Sequence, residues 1–156
     1  MKTYLKYFSL LFFTFLSFQL IAQNDYKVED YYTKKEVDIE MRDGIKLHTT
    51  IYSPKDLSQE YPIIMQRTPY SSRPYGEGEF RSKIGPNEFL MKEGNIIVYQ
   101  DVRGRWMSEG DYDNMRPYIP NKKGKEIDEA SDTYDTIEWL VNIVENNNGN
   151  VGTWGI

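Results

Sequence analysis

With 156 residues, the chain is one ordinary domain at most. A 39% hydrophobic and 28% charged composition excludes a disordered chain, and a net charge of -5 leaves no basic footprint for nucleic acid. With no cysteine, thiol catalysis, disulfides, lipoprotein anchoring and cysteine-based metal sites are excluded, and His48 is the single histidine.

The first segment has the layout of an export signal. Lys2 and Lys6 precede an apolar run from Phe8 to Ile21, and small Ala22 is followed by polar Gln23-Asn24-Asp25. The run is shorter than the roughly 20 residues of a spanning helix, so cleavage near Ala22 is expected over an uncleaved anchor. The expected organisation is a signal peptide at 1–22, a linker at 23–35 and one domain at 36–156. It implies a periplasmic or secreted protein with no stable membrane span after cleavage.

Val37, Ile39 and Met41 alternate with charged residues, and Ile45, Leu47, Thr49 and Ile51 alternate again after Asp43-Gly44. This predicts a β-hairpin over 36–52 with a two-residue turn. Tyr61 to Gln66 and Ile96 to Tyr99 are short, nearly continuous apolar runs, as in interior strands covered on both faces. Ser71 to Gly85 reads as a loop, Pro86 to Lys92 as a short helix stopped by Gly94, and Asp101 to Lys125 as a long loop. Glu126 to Val144 is the strongest helix, with an apolar stripe of Ile127, Ala130, Tyr134, Ile137, Val141 and Val144. The run from Asn146 to Gly149 is expected to end it, and a further strand to begin at Val151. Strands alternating with helices after a hairpin predict an α/β fold with a mostly parallel sheet.

Several motifs fail on inspection. Gly76-Glu77-Gly78 opens a dinucleotide-type loop, but position 81 is arginine. Asp111 to Asn114 resembles the start of a calcium loop, but position 116 is arginine where glycine is required. Asp128, Asp132 and Asp135 read as helix capping and a solvated face, and His48 as a surface strand residue. No metal and no cofactor is expected.

Three segments remain, in order. Arg67-Thr68-Pro69-Tyr70 follows one buried strand, and Asp101-Val102-Arg103-Gly104-Arg105 follows the next and continues to Ser108-Glu109-Gly110. Asp132 to Leu140 then leads to Asn148 to Ile156. Together they resemble the CocE/NonD acyl hydrolases, which group with the Xaa-Pro dipeptidyl-peptidases, and more closely the α-amino-acid ester hydrolase and glutaryl-acylase branch.

The resemblance implies the N-terminal part of an α/β-hydrolase fold that stops at the nucleophile-elbow strand. Gly155 and Ile156 would fill the first two positions of the elbow G-x-S-x-G, and the Ser, Asp and His of the triad would follow Ile156. It implies that Tyr70 donates its phenol O–H to the oxyanion hole beside the backbone N–H after the serine. Asp101, Arg103 and Gly104 match a motif beneath the active-site floor and are expected to be structural, Arg103 and Asp101 tying loops together, a mutual pair being one way. Trp106 and Met107 stand where many relatives have smaller residues. The implied activity is hydrolysis of esters or amides of acyl or aminoacyl groups, or dipeptidyl-peptidase-like cleavage, through an acyl-enzyme. The partners would be small-molecule or peptide substrates, with no nucleic acid, and self-association is left open. The chain alone is expected to be inactive. The alternative is a non-catalytic exported fragment or binding module.

Overall fold

The computed structural model describes residues 26–155, so the export segment and Ile156 lie outside the described residues. A helical turn, α1 (Val28–Tyr31), leads into β1 (Tyr32–Glu40) and β2 (Lys46–Pro54). Then come β3 (Tyr61–Thr68), α2 (Glu88–Lys92), β4 (Ile96–Asp101), α3 (Glu129–Ile143) and β5 (Asn147–Thr153). The strands form one sheet in the order β1-β2-β4-β3-β5. β1, β2 and β4 pair antiparallel, while β4, β3 and β5 run parallel. This is an α/β arrangement whose sheet is mixed in direction because the antiparallel hairpin joins a parallel portion.

Residues 26–35 differ from the expected linker. Val28 and Tyr32 are buried, and the first four residues of β1 come from this segment. The hairpin turn also differs. Met41 N–H donates to the Ile45 carbonyl and Gly44 N–H to the Met41 carbonyl, both at 2.8 Å. The connection is therefore three residues, Arg42 and Asp43 at the corners and Gly44 at φ +91°, the left-handed position that closes such loops.

Two cores sandwich the sheet. On one face Ile39, Leu47, Ile51, Ile63, Met65, Ile96 and Val98 pack under α3, which contributes Leu140. On the other, Tyr32, Tyr52, Ile97 and Tyr99 pack with Val28, Ile84 and Met91. Every residue of β4 is buried, which explains its continuous apolar run.

The expected α3 stripe holds in its second half, where Ile137, Val141 and Val144 pack against the core, but not in its first. Ser131, Asp132, Thr136 and Leu140 are buried, while Tyr134 is exposed. The polar members are bonded. Thr136 Oγ1 donates to the Asp132 carbonyl at 2.7 Å and accepts from Gln100 Nε2 at 2.9 Å, and Gln100 also donates to Thr49 Oγ1 at 3.0 Å. A satisfied polar group occupies a core position without an unpaired-dipole cost. At the other end Asn147 Nδ2 donates to the Val141 and Val144 carbonyls. The asparagines thus cap α3 and also begin β5, four residues before the expected start.

α3 begins at a reciprocal cap. Asp128 accepts from Ser131 N–H, and Ser131 Oγ accepts from Asp128 N–H, both at 2.8 Å. Burial would raise the Asp128 carboxyl, but the Lys122 ammonium at 2.6 Å and the N–H groups of Ile119 and Ser131 outweigh it and hold the pKa well below the usual carboxylate range. A depressed folded pKa stabilises above the unfolded carboxylate pKa of about 4, and that contribution is lost as pH falls further toward the folded value. The urea midpoint is therefore expected to drop below about pH 4. Asp128→Asn, which keeps an acceptor at the cap, should make that drop shallower. An unchanged slope in the variant would discount Asp128, leaving the decline to other carboxylates whose pKa values are also lowered, among them Glu36, Asp43 and Asp135.

Candidate active site

Because β3, β4 and β5 run parallel, their C-terminal ends open on one edge of the sheet, with Thr68 opposite Asp101 and Met65 opposite Thr153. In open α/β sheets ligands bind outside such ends. Tyr70 stands two residues past β3, Asp101 is the last residue of β4, and Gly155 follows β5 one residue after Trp154 N–H donates to the Met65 carbonyl at 3.0 Å. Ile156, the second expected elbow residue, lies outside the described residues. A cleft of about 320 Å³ at this edge is lined by Arg67, Val102, Glu129, Thr153 and Trp154, among others. Tyr70, Asp101, Arg103 and Gly155 are not in its walls, nor in those of the larger cavities of about 580, 440 and 420 Å³.

Tyr70 combines a fixed backbone with a free ring. Its N–H donates to Thr68 Oγ1 at 3.0 Å. The preceding carbonyl, that of Pro69, accepts from Trp106 Nε1 at 2.9 Å and Arg105 Nε at 3.1 Å. Ser71 then turns the chain with φ +98°, and Ser72 N–H donates to Asp101 Oδ1 at 2.6 Å. The Tyr70 side chain is 81% exposed and makes no hydrogen bond among the described residues.

Asp101, fully buried, joins two loops. Besides Ser72 it accepts from Tyr75 O–H at 2.8 Å and Met107 N–H at 3.3 Å, and its backbone carbonyl accepts from Ser108 Oγ at 2.6 Å. It does not pair with Arg103. The Arg103 guanidinium takes Asp132 in a fork, at 3.0 Å through Nε and 2.7 Å through Nη2, and reaches Asp43 at 2.8 Å through Nη1. Arg103 thereby links the loop after β4 to α3 and the hairpin turn. Burial disfavours its charge, but the two carboxylates outweigh this and raise its pKa. Asp132 and Asp135 are thus not a solvated face, since Asp135 is paired with Arg42 at 2.6 Å. At Gly104, φ is +68° and an added Cβ would lie 2.1 Å from the Tyr112 backbone nitrogen, so only glycine fits.

His48 is buried, not a surface residue. Its Nδ1 lies 2.9 Å from Asp38 Oδ1, and its ring meets Tyr75 edge-on at 5.5 Å. The strand alternation was right, but the loop after β3 covers the second face of β1 and β2. Sequence reasoning missed Lys34, Glu36 and Tyr75 as supports of that loop. The one signal for them was their polar phase along β1 and the loop's length. No group of three or more His, Asp or Glu placed for a metal ion occurs among the described residues.

The family described as X-Pro dipeptidyl-peptidase (S15 family) matches residues 43–156. Cocaine esterase of Rhodococcus sp. (strain MB1 Bresler) is 29% identical over 127 residues, covering 81% of this chain and 20% of that protein. Among solved structures, an α-amino acid ester hydrolase is 41% identical with a TM-score of 0.68, over 86% of this chain and 22% of its own. An aminopeptidase from the marine sediment archaeon Thaumarchaeota archaeon is 37% identical with a TM-score of 0.70, over 86% of this chain and 23% of its own. A CocE/NonD family hydrolase from Staphylococcus aureus is 25% identical with a TM-score of 0.59, over 78% of this chain and 22% of its own. The chain thus spans about a fifth of the length of these relatives.

Proposed function

Since this chain belongs to the X-Pro dipeptidyl-peptidase (S15) family, we propose that it forms the first part of the catalytic domain of an exported serine hydrolase. The enzyme cleaves esters or amides of acyl or aminoacyl groups. The observation that carries this reading is Tyr70, an exposed phenol on a clamped backbone at the strand edge where Gly155 also emerges.

In this reading the serine after Ile156 attacks the scissile carbonyl, assisted by a histidine and an aspartate further along the whole protein. Charge develops on the carbonyl oxygen as the tetrahedral intermediate forms. Tyr70 O–H donates to that oxygen, together with the backbone N–H after the serine. A donor already in place stabilises the developing charge without reorganising at the moment of reaction. Collapse expels the alcohol or amine and leaves an acyl-enzyme, which water then hydrolyses. Arg103 and Asp101 hold the loops beneath the site.

A fluorophosphonate probe tests the assignment. Incubated with the whole protein, its phosphorus should bond to the serine oxygen as the P–F bond breaks and fluoride leaves to solvent, giving one adduct on the peptide containing Gly155 and Ile156. Labelling confined to another peptide, or ester hydrolysis untouched by the probe, would sink the proposal.

A further inference from the structure

The segment between β3 and α2, residues 69–87, carries Tyr70 and lies across one face of the sheet. Its ties run to a polar layer on that face. Ser72 and Tyr75 bond to Asp101, Gly76 N–H donates to Glu36 at 2.9 Å, and Gly85 N–H donates to Tyr99 Oη at 2.8 Å. At the centre is Lys34. Its side chain is 0% exposed, and its ammonium donates to the carbonyls of Pro74 at 2.6 Å, Gly76 at 2.7 Å and Glu79 at 2.9 Å. Glu36 stands 2.8 Å away as its counter-charge.

Burying an ammonium carries a desolvation penalty of several kcal/mol, and well-packed apolar residues often replace buried ion pairs with no loss of stability. Apolar residues at both 34 and 36 would thus avoid that penalty. What an apolar side chain cannot do is gather three carbonyls onto one point. An ammonium is a compact charge with three rotatable donors, whereas a guanidinium is a planar fork. The three carbonyls belong to residues 74, 76 and 79, immediately after Tyr70 and the Ser72 tie to Asp101.

We propose that Lys34, with Glu36 as its counter-charge, is a positioning residue for Tyr70: its buried ammonium acts as an internal cation that sets the path of the Tyr70-bearing segment. Lys34 touches no substrate and acts through the segment. The inference rests on the reading of Tyr70 as an oxyanion donor.

The test is a double-mutant cycle in the whole protein, using an ester substrate and Tyr70→Phe as the second axis. Lys34→Met is expected to lower kcat by about tenfold with KM little changed, the scale of a misplaced transition-state donor. In the Tyr70→Phe background the same substitution should cost under about twofold, because the donor it positions is gone. Lys34→Arg should not restore the rate. An equal loss in both backgrounds, or no loss in the parent, overturns the positioning role while leaving Tyr70 intact. No effect of Tyr70→Phe itself removes the oxyanion reading and this inference with it. If Lys34→Met does not fold, as judged by circular dichroism, Glu36→Gln takes its place in the cycle. It removes the counter-charge of Lys34 while keeping an acceptor for Gly76 N–H, and the same two outcomes decide.

Discussion

Tyr70→Phe in the whole protein is expected to slow acylation by about 10²–10³, the measured scale for removing one oxyanion donor. The substitution removes a single hydroxyl from a ring that is 81% exposed and supports no core. Surface changes of this kind alter stability by no more than about 0.5 kcal/mol, so the urea midpoint should hold while the rate falls. The backbone around residue 70 is held by Thr68, Trp106, Arg105 and Asp101, none of which depends on the phenol. The loss should therefore appear in kcat and kcat/KM together, as for an interaction made only in the transition state. Stopped-flow measurement of the acylation burst checks it, and a loss well under tenfold would take Tyr70 out of the oxyanion hole.

Arg103→Met carries the largest expected cost to the fold. It leaves the buried Asp132 carboxylate without its fork and Asp43 without its partner. Removing one member of a buried ion pair costs about 3–5 kcal/mol, because the remaining charge is stranded. Urea unfolding of the whole protein should show a midpoint shift of that size with the slope unchanged. Arg103→Met combined with Asp132→Leu should recover part of the loss, since the stranded charge is then gone. A single variant as stable as the parent would mean that Asp132 finds another partner, with Arg67 Nη2, 3.8 Å away, the nearest candidate.

The elements that sequence reading located well are those whose own residues settle their surroundings. β3 and β4 carry apolar runs, Tyr61 to Met65 and Ile96 to Tyr99, because the sheet is covered on both faces, and that pattern needs no knowledge of the partner. The α3 face was only half legible: Ile137, Val141 and Val144 do pack on the core, but Asp132 and Thr136 are buried by virtue of Arg103 and Gln100, residues distant in sequence. Periodicity equates burial with apolarity and cannot see such pairs. Lys34 and His48 failed for a related reason. The alternation of β1 and β2 is that of a half-solvated hairpin, and the cover arrives from a loop whose sequence does not announce where it will lie. For the site, the ordered motifs singled out Tyr70, Asp101, Arg103 and Gly104. What holds Tyr70 came only from the fold, because the bonds to the Pro69 carbonyl originate in Arg105 and Trp106.

That shared carbonyl makes the loops after β3 and β4 a single heritable unit. A change at Trp106 is expected to move the peptide next to Tyr70 without altering the tyrosine itself. On the proposed role of Tyr70, position 106 is then a place where substitution adjusts the donor from one loop away.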